Sequence, residues 1–186
     1  MDNFHNKLKK IFKYKRIWCA ASTHNSEEKI CALAHKKLKS KYKNLLTIII
    51  PRHIQRSNKI INEIKDLDLN VQIRSTNNKI SKNTDVYLVD SYGETKSFYK
   101  ICKTVFLGGS LINHGGQNPL EPARFGCKIL HGPYVQNFRE VYNFLKKNNL
   151  SSKFHNTEQL VNSVKKSFST KTNFTNKTIK LKKMGS

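Results

Sequence analysis

TVFLGGSLINHGGQNPLEP, residues 104–122, is the stretch on which the reading of the whole chain turns. Thr104–Leu107 is β-branched, aromatic and apolar, which predicts a short buried strand. It stops at Gly108 and Gly109, where the backbone can turn sharply and a ligand can come close. Gly115 and Gly116 follow. Asn118 suits an N-cap, Pro119 the first helical position, and Glu121 stands three residues after the cap. Strand, glycine loop and helix start together offer N–H groups and a positive dipole end to a phosphate. The Glu121 carboxylate could accept from two sugar hydroxyls. A plain capping box of Asn118 and Glu121 explains the same residues without a ligand, and local chemistry leaves both readings open.

Outward from this stretch, strands and helices alternate. Arg16–Ala21 and Leu45–Ile50 are apolar runs, the second continuous enough for a strand buried on both faces. Short strands are also expected at Val71–Arg74, Asp85–Val89, Lys128–Leu130 and Ser152–Phe154. Between them lie helical patterns. One is capped by Asn25, with Glu28 three residues on, and packs Ile30, Leu33, Ala34 and Leu38. Others carry Ile60, Ile61 and Ile64, then span Glu94–Lys103, Pro119–Phe125, Phe138–Lys147 and Thr157–Phe168. The reading is an α/β fold: a Rossmann-like parallel sheet with helices on both faces. Ser22-Thr23-His24, Pro51-Arg52-His53, Asp90–Glu94, Gly108–Glu121 and His131–Asn137 each follow a predicted strand. All therefore fall on the carboxyl edge of the sheet, where such folds bind ligands.

The chain has 186 residues, enough for one domain with a real core, and a formal net charge of +23. That charge suits a polyanion, an anionic membrane surface or a phosphorylated lipid. The lysines are spread over every predicted helix, however, and no nucleic-acid motif is present, so nucleic acid is disfavoured as a partner. Cys19, Cys31, Cys102 and Cys127 lack metal-site spacing and read as reduced, buried thiols. No metal site is expected. No apolar run approaches the ~20 residues that span a bilayer. Residues 1–15 read as a linker remnant or a basic helix, with Phe4, Leu8, Ile11 and Phe12 at helical spacing. Residues 16–168 are expected to form the domain, and 169–186 a basic polar tail with a truncated final region.

GGSLINHGGQNPLEP (108–122) resembles the signature of the bacterial 3-deoxy-D-manno-octulosonic acid (Kdo) transferases. Further segments match in order: ASTHNSEE (21–28), IPRH (50–53), RS (74–75), TDVY (84–87), DSYGE (90–94) and HGPYVQNF (131–138). The resemblance runs from Arg16 to about Val164. It departs at Ser26, where the family usually has Gly, and at Gln117 and Tyr134, where it usually has His.

The resemblance implies the C-terminal, donor-binding half of a GT-B glycosyltransferase that moves Kdo from CMP-Kdo to a lipid A precursor in lipopolysaccharide biosynthesis. It implies no cofactor beyond the donor substrate and a full enzyme at the cytoplasmic face of the inner membrane. The catalytic base belongs to the other half, so this fragment alone is expected to be soluble and inactive. The implied donor-binding residues are Ser22, Thr23, Arg52, His53, Gly109, Ser110, Gly116, Asn118 and Glu121. Glu121 would hold the ribose, Arg52 a phosphate or carboxylate, and the loop amides a phosphate. His24 is a candidate for proton transfer or for a structural role. The competing readings are another GT-B nucleotide-sugar transferase, a basic nucleic-acid-binding module, and a degenerate fragment without activity.

Overall fold

A computed structural model describes residues 3–76 and 80–169. Seven parallel strands form one sheet: β1 (Arg16–Thr23), β2 (Leu45–Pro51), β3 (Val71–Ile73), β4 (Val86–Leu88), β5 (Thr104–Leu107), β6 (Lys128–His131) and β7 (Ser151–Lys153). Their order across the sheet is β3-β4-β2-β1-β5-β6-β7. The chain builds outward from β1 in one direction, then returns to its other side at β5 and builds the opposite way. The switch point therefore lies between β1 and β5, in register at Cys19–Val105, Ala20–Phe106 and Ala21–Leu107. A crevice at the carboxyl ends of those two strands follows from this order.

The helices are α1 (Asn3–Phe12), α2 (Glu27–Lys39), α3 (Ser57–Lys65), α4 (Thr95–Tyr99), α5 (Leu120–Arg124), α6 (Arg139–Lys147) and α7 (Thr157–Ser169). Alternate strand residues feed two cores. Cys19, Ala21, Leu46, Ile48, Ile50, Val105, Leu107 and Ile129 face Leu8, Phe12, Phe98, Tyr99, Tyr142 and Leu145. Trp18, Ala20, Ile49, Val86, Leu88, Phe106 and Leu130 face the apolar stripes of α2, α3 and α7. Both faces of the sheet are covered, which explains why β2 and β5 are buried at every position. The four cysteines are free and buried, as their spacing predicts.

Several local expectations shift. Residues 3–12 are helical, and Leu8 and Phe12 enter the core; the side chains of Phe4 and Ile11 lie outside the described set. The helix expected over Glu94–Lys103 is limited to Thr95–Tyr99. Asn25 does not cap α2. Ser26 holds that place at φ 73 without a side-chain cap bond, a left-handed conformation in which glycine is easier. That is a backbone reason for Gly to be usual at this position. Asn25 instead accepts from Lys59 at 3.0 Å, and Glu28 forms a two-pronged pair with Arg56 at 2.9 and 3.0 Å. Residues 77–79 of the expected polar loop, and residues 170–186 of the expected tail, lie outside the described residues.

At the amino edge of the sheet, His35 bridges Thr47 (2.9 Å) and Asp85 (3.3 Å). Burial would raise the Asp85 carboxyl, but hydrogen bonds from His35, Lys39 and the Asn70 N–H overcome it and hold it far below the usual range. At the same edge Phe168, near the end of α7, returns to the start of β1. The Arg16 guanidinium lies 4.8 Å from the Tyr42 ring centre and 5.1 Å from that of Phe168. A cavity of about 290 Å³ opens beside them, lined by Lys15, Arg16, Ile17, Ile101, Lys103, Ser167 and Phe168.

Candidate functional site

The carboxyl edge is held together by one buried carboxylate. Glu27, on the first turn of α2, is fully buried. Its Oε2 accepts from the N–H of His24 and of Gly109, both at 2.8 Å. Its Oε1 accepts from the N–H of Ser110 (3.1 Å) and Leu111 (3.0 Å). Burial pushes the carboxyl above its ordinary value, while the four backbone donors pull the other way. The turn after β1 and the glycine loop after β5 are thus clamped onto a single side chain.

This corrects the expectation for the glycine loop. The N–H groups of Gly109 and Ser110, read as phosphate donors, are committed to Glu27. The Gly116 N–H donates to the Gly109 carbonyl at 2.8 Å. Ser110 Oγ donates to the Leu107 carbonyl (2.6 Å) and accepts from the Gly132 N–H (2.9 Å). Gly109, Ser110 and Gly116 therefore build the loop rather than offer amides to a ligand. The following helix, α5, has only five residues, so its dipole is small. Asn118 Oδ1 accepts from the Leu120 N–H at 3.0 Å, a capping contact, but Glu121 does not close a capping box. Its carboxylate, partly exposed, sits 3.3 Å from Lys96 Nζ.

The other expected residues lie on the same edge. Ser22 forms a bulge at the end of β1 at φ 54, where the β1–β2 register shifts. Thr23 is buried, its carbonyl accepts from the Arg52 N–H at 2.9 Å, and its Oγ1 has no partner among the described residues. Arg52 and His53 follow β2 and are exposed. The His53 ring meets the His24 ring edge-on at 5.8 Å, and His114, from the glycine loop, lies 4.4 Å from His24. His24 is 9% exposed and its Nε2 has no partner among the described residues. Burial, then the nearby His114, His53, Arg56 and Arg52, pushes the His24 imidazole down to about 4. Tyr142 Oη donates to the Gln117 carbonyl at 3.0 Å, which anchors the end of the loop. Asp90 accepts from Ser75, and Glu94 grips Arg74 at 2.8 and 3.0 Å, tying the turns after β3 and β4 together. No group of three or more His, Cys, Asp or Glu among the described residues is arranged to hold a metal ion.

Three of the four donors to Glu27 lie 82–84 residues away, beyond the reach of any local sequence pattern. The His24–His114 pairing was equally hidden. One signal was available for Glu27: an acidic residue at the start of a helix that follows a strand-end turn.

His131 is a second histidine held neutral. It is buried against Tyr142 with ring centres 4.4 Å apart, and burial lowers it to about 4 despite its bond to the Gly132 carbonyl. An unfolded histidine titrates near 6.5, so between that value and about 4 the unfolded chain binds more protons and the fold loses stability as pH falls. Each of His24 and His131 contributes on the order of 3 kcal/mol to that loss. Asp85 adds to it only further into acid. Urea unfolding at pH 7, 5.5 and 4.5 should show a steep decline, shallower by about half in His131→Asn.

No family model matches the chain. It is 42% identical over 139 residues to the 3-deoxy-D-manno-octulosonic acid transferase of Haemophilus influenzae, covering 74% of this chain and 33% of that protein. It is 34% identical over 142 residues to the enzyme of the same name from Aquifex aeolicus, covering 76% and 39%. The chain thus spans little more than a third of these relatives. Its fold matches the solved C-terminal CMP-Kdo binding domain of WaaA from Acinetobacter baumannii with a TM-score of 0.83 and 26% identity, over 97% of this chain and 95% of that one. The chain belongs to the 3-deoxy-D-manno-octulosonic acid transferase family, and its Rossmann-like α/β fold is that of the C-terminal domain of such an enzyme.

Proposed function

We propose that the chain is the donor-binding half of a Kdo transferase and holds CMP-Kdo at the crevice between β1 and β5. The observation that carries this reading is the match in fold, over 97% of this chain, to the C-terminal CMP-Kdo binding domain of WaaA. The site chemistry supports it. The Arg52 guanidinium makes no hydrogen bond or ion pair among the described residues and stands beside His53 at the crevice edge, suited to a phosphate or a sugar carboxylate. Ser22 and Thr23 offer hydroxyls from the turn after β1. Asn118 and Glu121 lie at the start of α5, where the Glu121 carboxylate can take the two ribose hydroxyls. Because Glu27 occupies the loop amides, the donor's negative charge falls to side chains.

In the whole reaction an acceptor hydroxyl attacks the anomeric carbon of Kdo, and CMP departs. This chain's part is to orient the donor and to steady the charge developing on the leaving phosphate through Arg52 and its cationic neighbours. The base that deprotonates the lipid A precursor is supplied by the partner half, at the cytoplasmic face of the inner membrane. No helix among the described residues is long and apolar enough to cross a membrane. The net charge of +23 fits work beside an anionic surface.

The test is titration of the chain with CMP, UMP and AMP, followed by heteronuclear NMR. CMP should give saturable shifts at residues of the crevice, with weaker responses to UMP and AMP. Glu121→Ala removes a charged acceptor for two hydroxyls, worth about 1.5–3 kcal/mol, so affinity should fall roughly ten- to hundredfold. Its exposed pair with Lys96 contributes little to folding, so the variant should remain folded. Absence of CMP-specific shifts in a folded sample would overturn the reading.

A further inference from the structure

We infer that the cavity at the amino edge of the sheet is a second binding site, which takes a phosphate or carboxylate group borne on a short apolar body. It lies at the opposite end of β1 and β5 from the crevice and owes nothing to the donor reading. Its volume of about 290 Å³ suits a small ligand. Three cationic side chains line it: Lys15 and Arg16 at the start of β1, and Lys103 just before β5. No Asp or Glu among the described residues lines it. Ile17, Ile101 and Phe168 supply apolar wall. The two isoleucines pack at the margin of one core and Phe168 at the margin of the other, so the cavity straddles the edge of the sheet.

The cations are positioned but not neutralised. Lys15 Nζ donates to the carbonyls of Lys82 (2.6 Å) and Thr84 (3.2 Å). Those bonds fix the ammonium and leave its third N–H without a partner among the described residues. The acid that acts on it, Asp85, is already engaged by His35, Lys39 and the Asn70 N–H. Burial draws Lys15 below its ordinary pKa, opposed by Asp85 and aided by Lys39, and an anion alongside would favour the charged form again. The Arg16 guanidinium is set by the edge-on rings of Tyr42 and Phe168 and makes no side-chain hydrogen bond or ion pair among the described residues. The exposed Lys103 has no side-chain partner there either. Three like charges at one opening repel each other, and one bound anion relieves all three. Phe168 joins the two halves of the site, since its ring both meets Arg16 and lines the cavity. A bare anion would leave the apolar wall wet, whereas a few methylenes attached to it would cover that wall.

The experiment titrates the full chain with inorganic phosphate and with hexyl phosphate, in the presence of saturating CMP, and follows it by NMR. Hexyl phosphate should bind saturably and roughly tenfold or more tighter than phosphate, the gain expected from burying two methylenes. Its methylene protons should show nuclear Overhauser contacts to the methyls of Ile17 and Ile101 and to the Phe168 ring. Lys103→Glu, a change at an exposed side chain, should weaken binding tenfold or more. Lys29→Glu, the same charge change on the exposed face of α2, should alter it less than twofold. Vesicles of phosphatidylcholine with phosphatidylglycerol separate the two sources of such a group. Vesicle binding that weakens with Lys103→Glu but not with Lys29→Glu, and that hexyl phosphate displaces, assigns the site to a lipid headgroup. Contacts with hexyl phosphate but no such selective vesicle binding assign it to a soluble phosphate ester. Equal affinities for phosphate and hexyl phosphate, equal losses in the two variants, or contacts to residues other than those of the cavity would each overturn the assignment, leaving only the diffuse pull of a basic surface. CMP shifts at the crevice, present or absent, are read from the same spectra and judge the donor reading separately.

Discussion

Glu27→Ala should cost the domain most or all of its cooperative unfolding transition. The substitution leaves the N–H groups of His24, Gly109, Ser110 and Leu111 buried without their acceptor. Each such group costs about 1–3 kcal/mol, and four together rival the 5–15 kcal/mol that typically separates a small domain from its unfolded state. Glu27→Gln is the milder probe. Its carbonyl can still serve two of the four donors, while its amide turns an N–H towards the other two, so about half of the loss is expected. Urea unfolding followed by circular dichroism checks both. A Glu27→Ala variant whose midpoint matches the parent would show that the loop is held by something else. The same variants should lose CMP binding, because the turn carrying Thr23 and His24 and the loop carrying His114 would no longer be fastened to each other.

The second large effect is expected at Gly108. A Cβ there would lie 2.3 Å from the Ser22 carbonyl oxygen, 2.5 Å from Thr23 Cα and 2.7 Å from Glu27 Oε2. Two of these atoms are backbone of β1, and the third belongs to a carboxylate fixed by four hydrogen bonds. None can swing aside. Gly108→Ala must therefore push the ends of β1 and β5 apart, at about 3 kcal/mol or more, the upper end for overpacking a core. Gly93→Ala is the matched control. Gly93 is also a loop glycine on this edge, at φ +83, but a Cβ there meets nothing within 4 Å. Only the left-handed backbone is penalised, about 1–2 kcal/mol. Thermal unfolding of the two variants side by side separates close approach from backbone conformation. Equal losses would mean that the contacts at Gly108 relax freely.

Most of the architecture was legible because its causes are local. β-branched and apolar runs such as Leu45–Ile50 can only be strands buried on both faces, and helical spacing such as Ile60, Ile61 and Ile64 marks one side of α3. Alternation then forces a parallel sheet, and the motifs that follow its strands must gather on one edge. The site was legible only as a gathering. Glycines at 108, 109, 115 and 116 announce a special loop but not what it wraps. In isolation, N–H groups beside glycines suggest an anion from outside, whereas the fold supplies one of its own from a helix far away in sequence. Ser26 shows the same limit from the other side. As a letter it is a departure from a pattern; as a residue at φ 73 it is a strained substitute in the turn that opens α2.

The meeting of the Arg16 guanidinium with the rings of Tyr42 and Phe168, which touch each other edge-on, has a practical consequence. It brings the first residue of the central strand and the last turn of α7 together on the edge opposite the crevice. A tether placed beyond either residue would leave the chain pointing its binding loops away from the anchor. Immobilised on a sensor surface through such a tether, the domain would present its crevice to solvent. A short bridge between these two neighbourhoods would also let the polypeptide be reopened elsewhere, as a circular permutant with its sheet order unchanged.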